Sequence, residues 1–258
     1  MKYSYLVVEG QHDLEVLTAL FRLAGFKRLK AISEIPTLWH PQFPKNIINN
    51  ADLLQRPRVP TVMQKDNEIS VLISPAGGLA KIALENQLLA LSLENGRKLT
   101  GFGVIIDTDP DKGTAAEIYA KIVEMFPGLS FAGKPGEIRA GSPNTGIFLL
   151  PDNCTTGSLE TLLLDAAEVE FPKLKKAATS FVDSLDSTSA APTDLKEFNK
   201  PFGRKKALVG TMGSIFKPGK SIQVSIHDNP WLTEKTRSLP GLAALWHFLR
   251  QLTGIEHP

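Results

Sequence analysis

The chain has 258 residues, 42% hydrophobic and 22% charged, with a formal net charge of +2. That composition describes a globular chain of one or two domains, long enough for its own core. The near-neutral balance excludes a polybasic tail but leaves room for a local basic patch. The single cysteine, Cys154, excludes an internal disulfide framework and argues against a cysteine-built zinc site. Its residue type predicts core filler. No run of about 18 apolar residues is present, and the chain enters a strand with no apolar signal region. A cytoplasmic protein with no membrane partner is expected.

Tyr3-Ser-Tyr-Leu-Val-Val-Glu-Gly10 begins as a strand and ends at an acidic residue before glycine. A helix follows from Asp13, with Leu14, Leu17, Leu20 and Phe21 on one face and Gly25 as its stop. Asp13 has an ordinary reading as the helix N-cap. Glu9, ending a buried strand, needs a partner. Residues 32–67 carry Pro36, Pro41, Pro44, Pro57 and Pro60 without clean periodicity and read as an insertion. Trp39, His40 and Phe43 are expected to pack there.

Glu68 to Gly78 is a second strand, followed by a helix from Leu79 to about Asn95. The Gly77-Gly78 pair fits either a phosphate-facing loop or, preferred here, an ordinary tight turn. Val104 to Ile106 is a third, buried strand that stops at Asp107, Asp109 and Asp111. A helix from Thr114 to Met125 and a fourth strand, Gly146 to Pro151, come next. After the turn Asp152–Gly157 a helix begins with Ser158-Leu-Glu160. Gly157 as cap with Glu160 as third helical residue is the structural reading of that segment. The rest is mostly helical, with a loop over Ser180–Thr193, a basic segment over Lys196–Lys220 and an amphipathic helix over Leu239–Leu252.

Two motifs fail. Gly213 to Ser221 nearly spells a Walker A loop, but its glycine is one place early, and a strand is expected after it where a helix is needed. Asp107 to Gly113 resembles a calcium loop, yet the twelfth position is Ile118 rather than glutamate. Three acidic sets are left, each after a strand: Glu9 with Asp13, Asp107 with Asp109, and Glu160. Open α/β sheets bind ligands beyond the carboxyl ends of their strands. Hard oxygen ligands from several strand tips suit Mg²⁺ or Mn²⁺. Two such ions about 4 Å apart hold a phosphodiester for attack by water.

At these residues the sequence resembles the TOPRIM family of topoisomerases, primases, maturases and OLD nucleases. Val8-Glu9-Gly10 with Asp13 is similar to its first motif, Asp107-Thr-Asp109 to its Asp-x-Asp motif, and Gly157-Ser-Leu-Glu160 to the third acidic element of the OLD-like branch. Pro151-Asp-Asn153 ahead of that element resembles a small stand-alone group described as DUF3226. The resemblance implies an α/β, Rossmann-like fold: a mostly parallel sheet of about four strands flanked by helices. It spans 1–166 as the catalytic domain, with 167–258 a helical extension packed on it. It implies a Mg²⁺- or Mn²⁺-dependent nuclease, a hydrolase with two ions held by Glu9, Asp13, Asp107, Asp109 and Glu160. Glu9 is also the candidate acid or base. Lys205 or Lys206 is the candidate basic residue toward DNA or RNA. OLD proteins carry an ATPase domain, and this chain has no credible Walker A, so coupled activity either needs a separate partner such as an ATPase or is absent. A homo-oligomer is left open. The alternatives are a non-catalytic nucleic-acid-binding or regulatory module and a haloacid-dehalogenase-type phosphatase with Asp107 as nucleophile.

Overall fold

A computed structural model describes residues 1–43, 59–93, 99–185 and 188–256, with the side chains of 87–93 outside that description. Among the described residues, seven strands form one mixed sheet: β1 (Lys2–Val8), β2 (Lys27–Arg28), β3 (Thr61–Lys65), β4 (Ile69–Pro75), β5 (Gly101–Asp107), β6 (Ile138–Arg139) and β7 (Asn144–Leu150), in the order β2-β3-β4-β1-β5-β7-β6. The four expected strands are the central β4, β1, β5 and β7, all mutually parallel. The three unexpected ones flank them and pair antiparallel. The sheet is therefore larger than about four strands and mixed rather than mostly parallel. β2 and β6 are two residues each, too short to carry a period. β3 falls inside the stretch read as an insertion, so residues 61–65 belong to the sheet.

Both faces of the central strands are covered, which is why they read as unbroken apolar runs. Along β1, Leu6 and Val8 enter one core while Tyr5 and Val7 enter the other. The first core is closed by α1 (Gln11–Leu23), α4 (Leu159–Glu170) and α9 (Pro240–Thr253). Around these pack α5 (Pro172–Asp183), α6 (Gly203–Phe216), α7 (Ile222–Asp228) and α8 (Glu234–Arg237). The second core lies under α2 (Leu79–Leu93) and α3 (Ala115–Met125). The α9 helix sits so close to the sheet that a side chain at Gly103 would strike Leu252.

Several local expectations change. The 32–42 segment forms two 3₁₀ turns that bury Trp39 completely, and its indole donates to Ser70 Oγ at 2.9 Å. His40 does not pack: it is exposed, with Nε2 2.9 Å from the Ile35 carbonyl. Pro44 and Pro57 of that stretch, and Asn95 at the expected end of α2, lie outside the described residues. Cys154 is exposed in the turn after β7, so it fills no core. Part of the expected 180–193 loop is helix, since α5 runs to Asp183. Gly213 lies inside α6, and α7 rather than a strand follows the Walker-like segment.

Candidate functional site

The chain passes from β1 to β4 on one side and later crosses to β5 on the other, so the carboxyl ends of β1 and β5 flank a point where strand order reverses. Such a point opens a crevice in an α/β sheet. Here it holds a cavity of about 380 Å³ bounded by Glu9, Asp13, Asp107 and Glu160, with His12 and Lys206 also on its wall. Glu9 just past β1, Asp107 at the end of β5, and Asp13 and Glu160 on the helices that follow β1 and β7 thus meet around one volume.

Each is positioned by specific bonds. Glu9 follows β1; its carbonyl accepts from the amides of Gly77 and Gly78 at 2.7 and 3.1 Å. Those amides are therefore occupied, and the glycine pair is a structural turn that anchors Glu9. The Lys112 ammonium lies 2.7 and 2.6 Å from the two Glu9 carboxylate oxygens. Asp13 is not the N-cap of α1. That position is Gly10, and Asp13 reaches back from the third helical residue to accept from the Gly10 amide at 2.7 Å. Asp107 Oδ1 accepts from the Leu159 amide at 2.9 Å, so the β5 tip caps the start of α4. The N-cap residue of α4 is Ser158, one place later than expected, and Glu160 is its second residue. Glu160 is buried, and among the described residues its Oε2 has no hydrogen-bond partner. The capping role read for it from sequence is not what holds it there.

The electrostatics follow from crowding. Burial, then the charges of Glu160 and Glu9, push Asp107 up to about 7, against the opposing pull of Lys112 and the Leu159 amide. Burial and then Asp107 raise Asp13 well above the usual carboxylate range, opposed by the Gly10 amide. Burial lowers the His12 imidazole, with Lys206 acting the same way and Glu160 opposing. This is an excess of negative charge in low dielectric, the condition that a bound cation relieves. The donor set is all oxygen and contains an orphaned buried carboxylate oxygen, which fits a hard divalent ion. Among the described residues, no three His, Cys, Asp or Glu side chains stand together closely enough to hold a metal as they are.

Asp109 is not brought to the same cavity. It caps the 3₁₀ turn Pro110–Lys112, its Oδ1 accepts from the Asp111 amide at 3.1 Å, and it lines a neighbouring cavity. Lys205 and Lys206 also separate. Lys205 donates to Thr161 Oγ1 at 3.0 Å and lies over the Phe202 ring, whereas Lys206 lines both cavities.

The family of the chain is decided over nearly its whole length: a model described as "Protein of unknown function (DUF3226)" matches residues 3–254. The chain belongs to the DUF3226 family. Among solved structures, this DUF3226 chain is similar to the hypothetical protein PH0156 from Pyrococcus horikoshii OT3. Identity is 16% and the TM-score 0.55, over 98% of this chain and 95% of that one. A likeness at that identity concerns the fold alone. No curated protein matches the sequence.

Three supporting residues of this DUF3226 site escaped the sequence reading. Thr108 donates to the Leu150 carbonyl at 2.7 Å and accepts from the Gly157 amide at 2.8 Å, tying the β5 tip to the β7–α4 loop. Lys112 stands three residues beyond Asp109, in a segment read only for its acids. A basic residue within an acidic turn was the available signal. Gln223, on the cavity wall from α7, gave none.

Proposed function

We propose that this chain is a divalent-metal-dependent hydrolase of TOPRIM type that cleaves phosphodiesters in nucleic acid. One observation carries the reading: carboxylates from β5 and from the segments that follow β1 and β7 meet around one cavity, and the Glu160 oxygen buried there has no partner among the described residues. Glu9, Asp13, Asp107 and Glu160 would hold Mg²⁺ or Mn²⁺. The bound ion supplies Lewis acidity toward a phosphoryl oxygen at neutral pH. The donors sharing the cavity suffice for one ion, and a second would draw on Asp109 beyond it.

The chain's own residues set the rest. Lys206 puts an ammonium on the cavity wall, where it attracts a backbone phosphate. Asp107 orients α4, and with it Glu160, through the Leu159 amide. Thr108 keeps the loop carrying Gly157 against the β5 tip. Glu9 acts on a proton only once Lys112 leaves one of its oxygens. That same ion pair favours a second reading, in which Lys112 balances Glu9 and the domain binds nucleic acid without cutting it, alone or beside an ATPase. The phosphatase reading gains nothing, because it gives Glu9 no role in a cavity that Glu9 helps to form.

Cleavage of single-stranded DNA, duplex DNA and RNA, in Mg²⁺, Mn²⁺ or EDTA, separates these readings. Metal-dependent cutting that disappears in Glu9→Gln and Asp107→Asn supports the hydrolase. Metal-independent binding without cutting, equal in all three proteins, supports the binding module.

A further inference from the structure

Next to the carboxylate cavity, across Lys206, is a second cavity of about 390 Å³. Its size falls within the roughly 300–1,000 Å³ of small-ligand pockets. Two aromatic rings line it, Phe198 and Phe202, both half-buried. The Arg204 guanidinium lies over the Phe198 ring at 5.0 Å and the Lys205 ammonium over the Phe202 ring at 5.7 Å, which holds both rings in place. The charged lining is mixed: Asp109, Asp111 and Glu197 against Lys200 and Lys206. Lys200 is already paired with Glu197 at 2.7 Å.

That excess of carboxylates disfavours a phosphate inside the cavity. An uncharged flat ring with N–H donors on its edge meets no such penalty. Carboxylates accept from base amino groups, and aromatic side chains stack on base faces. Lys206, on the shared wall, is placed for the phosphate between the two cavities.

We infer that the second cavity takes an unpaired nucleobase adjacent to the phosphodiester held at the carboxylate cavity, so that the substrate is a single strand or an unpaired end. The inference rests on the nucleic-acid reading above and adds its substrate class. A base inside a duplex is stacked and paired, and must leave the helix to enter.

The test is binding of a short fluorescein-labelled DNA single strand to the full chain, in Ca²⁺ and in EDTA. It is repeated with a strand of the same length made of abasic sites, and with the duplex. The abasic strand keeps every phosphate and loses every base. Binding about 10-fold weaker to the abasic strand, and Phe202→Ala weakening the intact strand alone by a similar factor, is the expected result for one stacked base. Equal affinity for intact and abasic strands overturns the inference, and this comparison in the unaltered protein holds even if Phe202→Ala fails to fold. Tighter binding to the duplex, or no binding to any strand, also overturns it. A protein that cuts nucleic acid yet ignores the bases keeps the hydrolase reading and loses the subsite. One that needs the bases and cuts nothing keeps the subsite and loses hydrolysis.

Discussion

Glu15 on α1 and Glu160 on α4 are buried to the same degree, at 7% and 6% exposure, yet their surroundings differ completely. Glu15 receives Arg28 at 2.9 and 3.1 Å, with His227 Nδ1 at 3.3 Å. Glu160 shares the cavity with Asp107 and Asp13, and its Oε2 has no partner among the described residues. The first arrangement is what folding requires of a buried carboxylate. The second leaves a cost in the folded state, and such costs gather at functional sites. Under the metal-site proposal, the contrast sets a carboxylate that stabilises the protein against one that would serve a bound ion.

The largest expected effect lies on the site side. Asp107→Asn should lower metal-dependent cleavage by about 10³-fold, corresponding to several kcal/mol of transition-state stabilisation, while the protein stays folded. Unchanged turnover in a steady-state assay would remove Asp107 from the chemistry.

The next effect is on pH dependence without metal. Asp107 and Asp13 have raised pKa values in the fold, so the folded state keeps protons that the unfolded chain releases above about pH 4. Through Asp107, stability in EDTA should therefore fall as pH rises from about 4 to about 7, by on the order of a few kcal/mol, and Asp13 acts in the same direction. Denaturant melts across that range should show the slope, and Asp107→Asn should flatten it. A rise in stability over the same window would contradict the crowding argument.

On the structural side, Arg28→Ala should cost about 2–3 kcal/mol in the same melts, because it strands Glu15 in the core. Cleavage per folded molecule should be unchanged. Thr108→Val should cost about 1–2 kcal/mol for the lost bonds to Leu150 and Gly157. The smallest effect sharpens the contrast most. Glu160→Gln, in EDTA at pH 8, should stabilise the protein by about 1 kcal/mol, since it removes an uncompensated charge. A loss like that of Arg28→Ala would mean the two glutamates do the same work.

The central strands were legible because each is an apolar run ending at a turn: Val104–Ile106 before Asp107, and Gly146–Leu150 before Pro151. β2 and β6 were not, because two residues carry no period and owe their strand state to a neighbour. The grouping of Glu9, Asp13, Asp107 and Glu160 followed from strand-tip logic, which needs only the order of elements. Asp109 shows the limit of that logic. It sits two residues beyond the β5 tip, but Pro110 and the bond to the Asp111 amide turn it toward the second cavity. Partners distant in sequence depend on how loops return: the pairing of Lys112 with Glu9 shows only as a basic residue in an acidic turn, and the place of Lys206 on the shared wall leaves no local pattern.

Calorimetric titration of Mn²⁺ into the metal-free protein at pH 8 tests the central claim most directly, with Asp107→Asn and Glu160→Gln alongside. The account predicts saturable binding to the unaltered chain that both substitutions weaken by at least about 10-fold, in the range expected for lost or disturbed ligands. No binding, or binding that neither substitution changes, would contradict it.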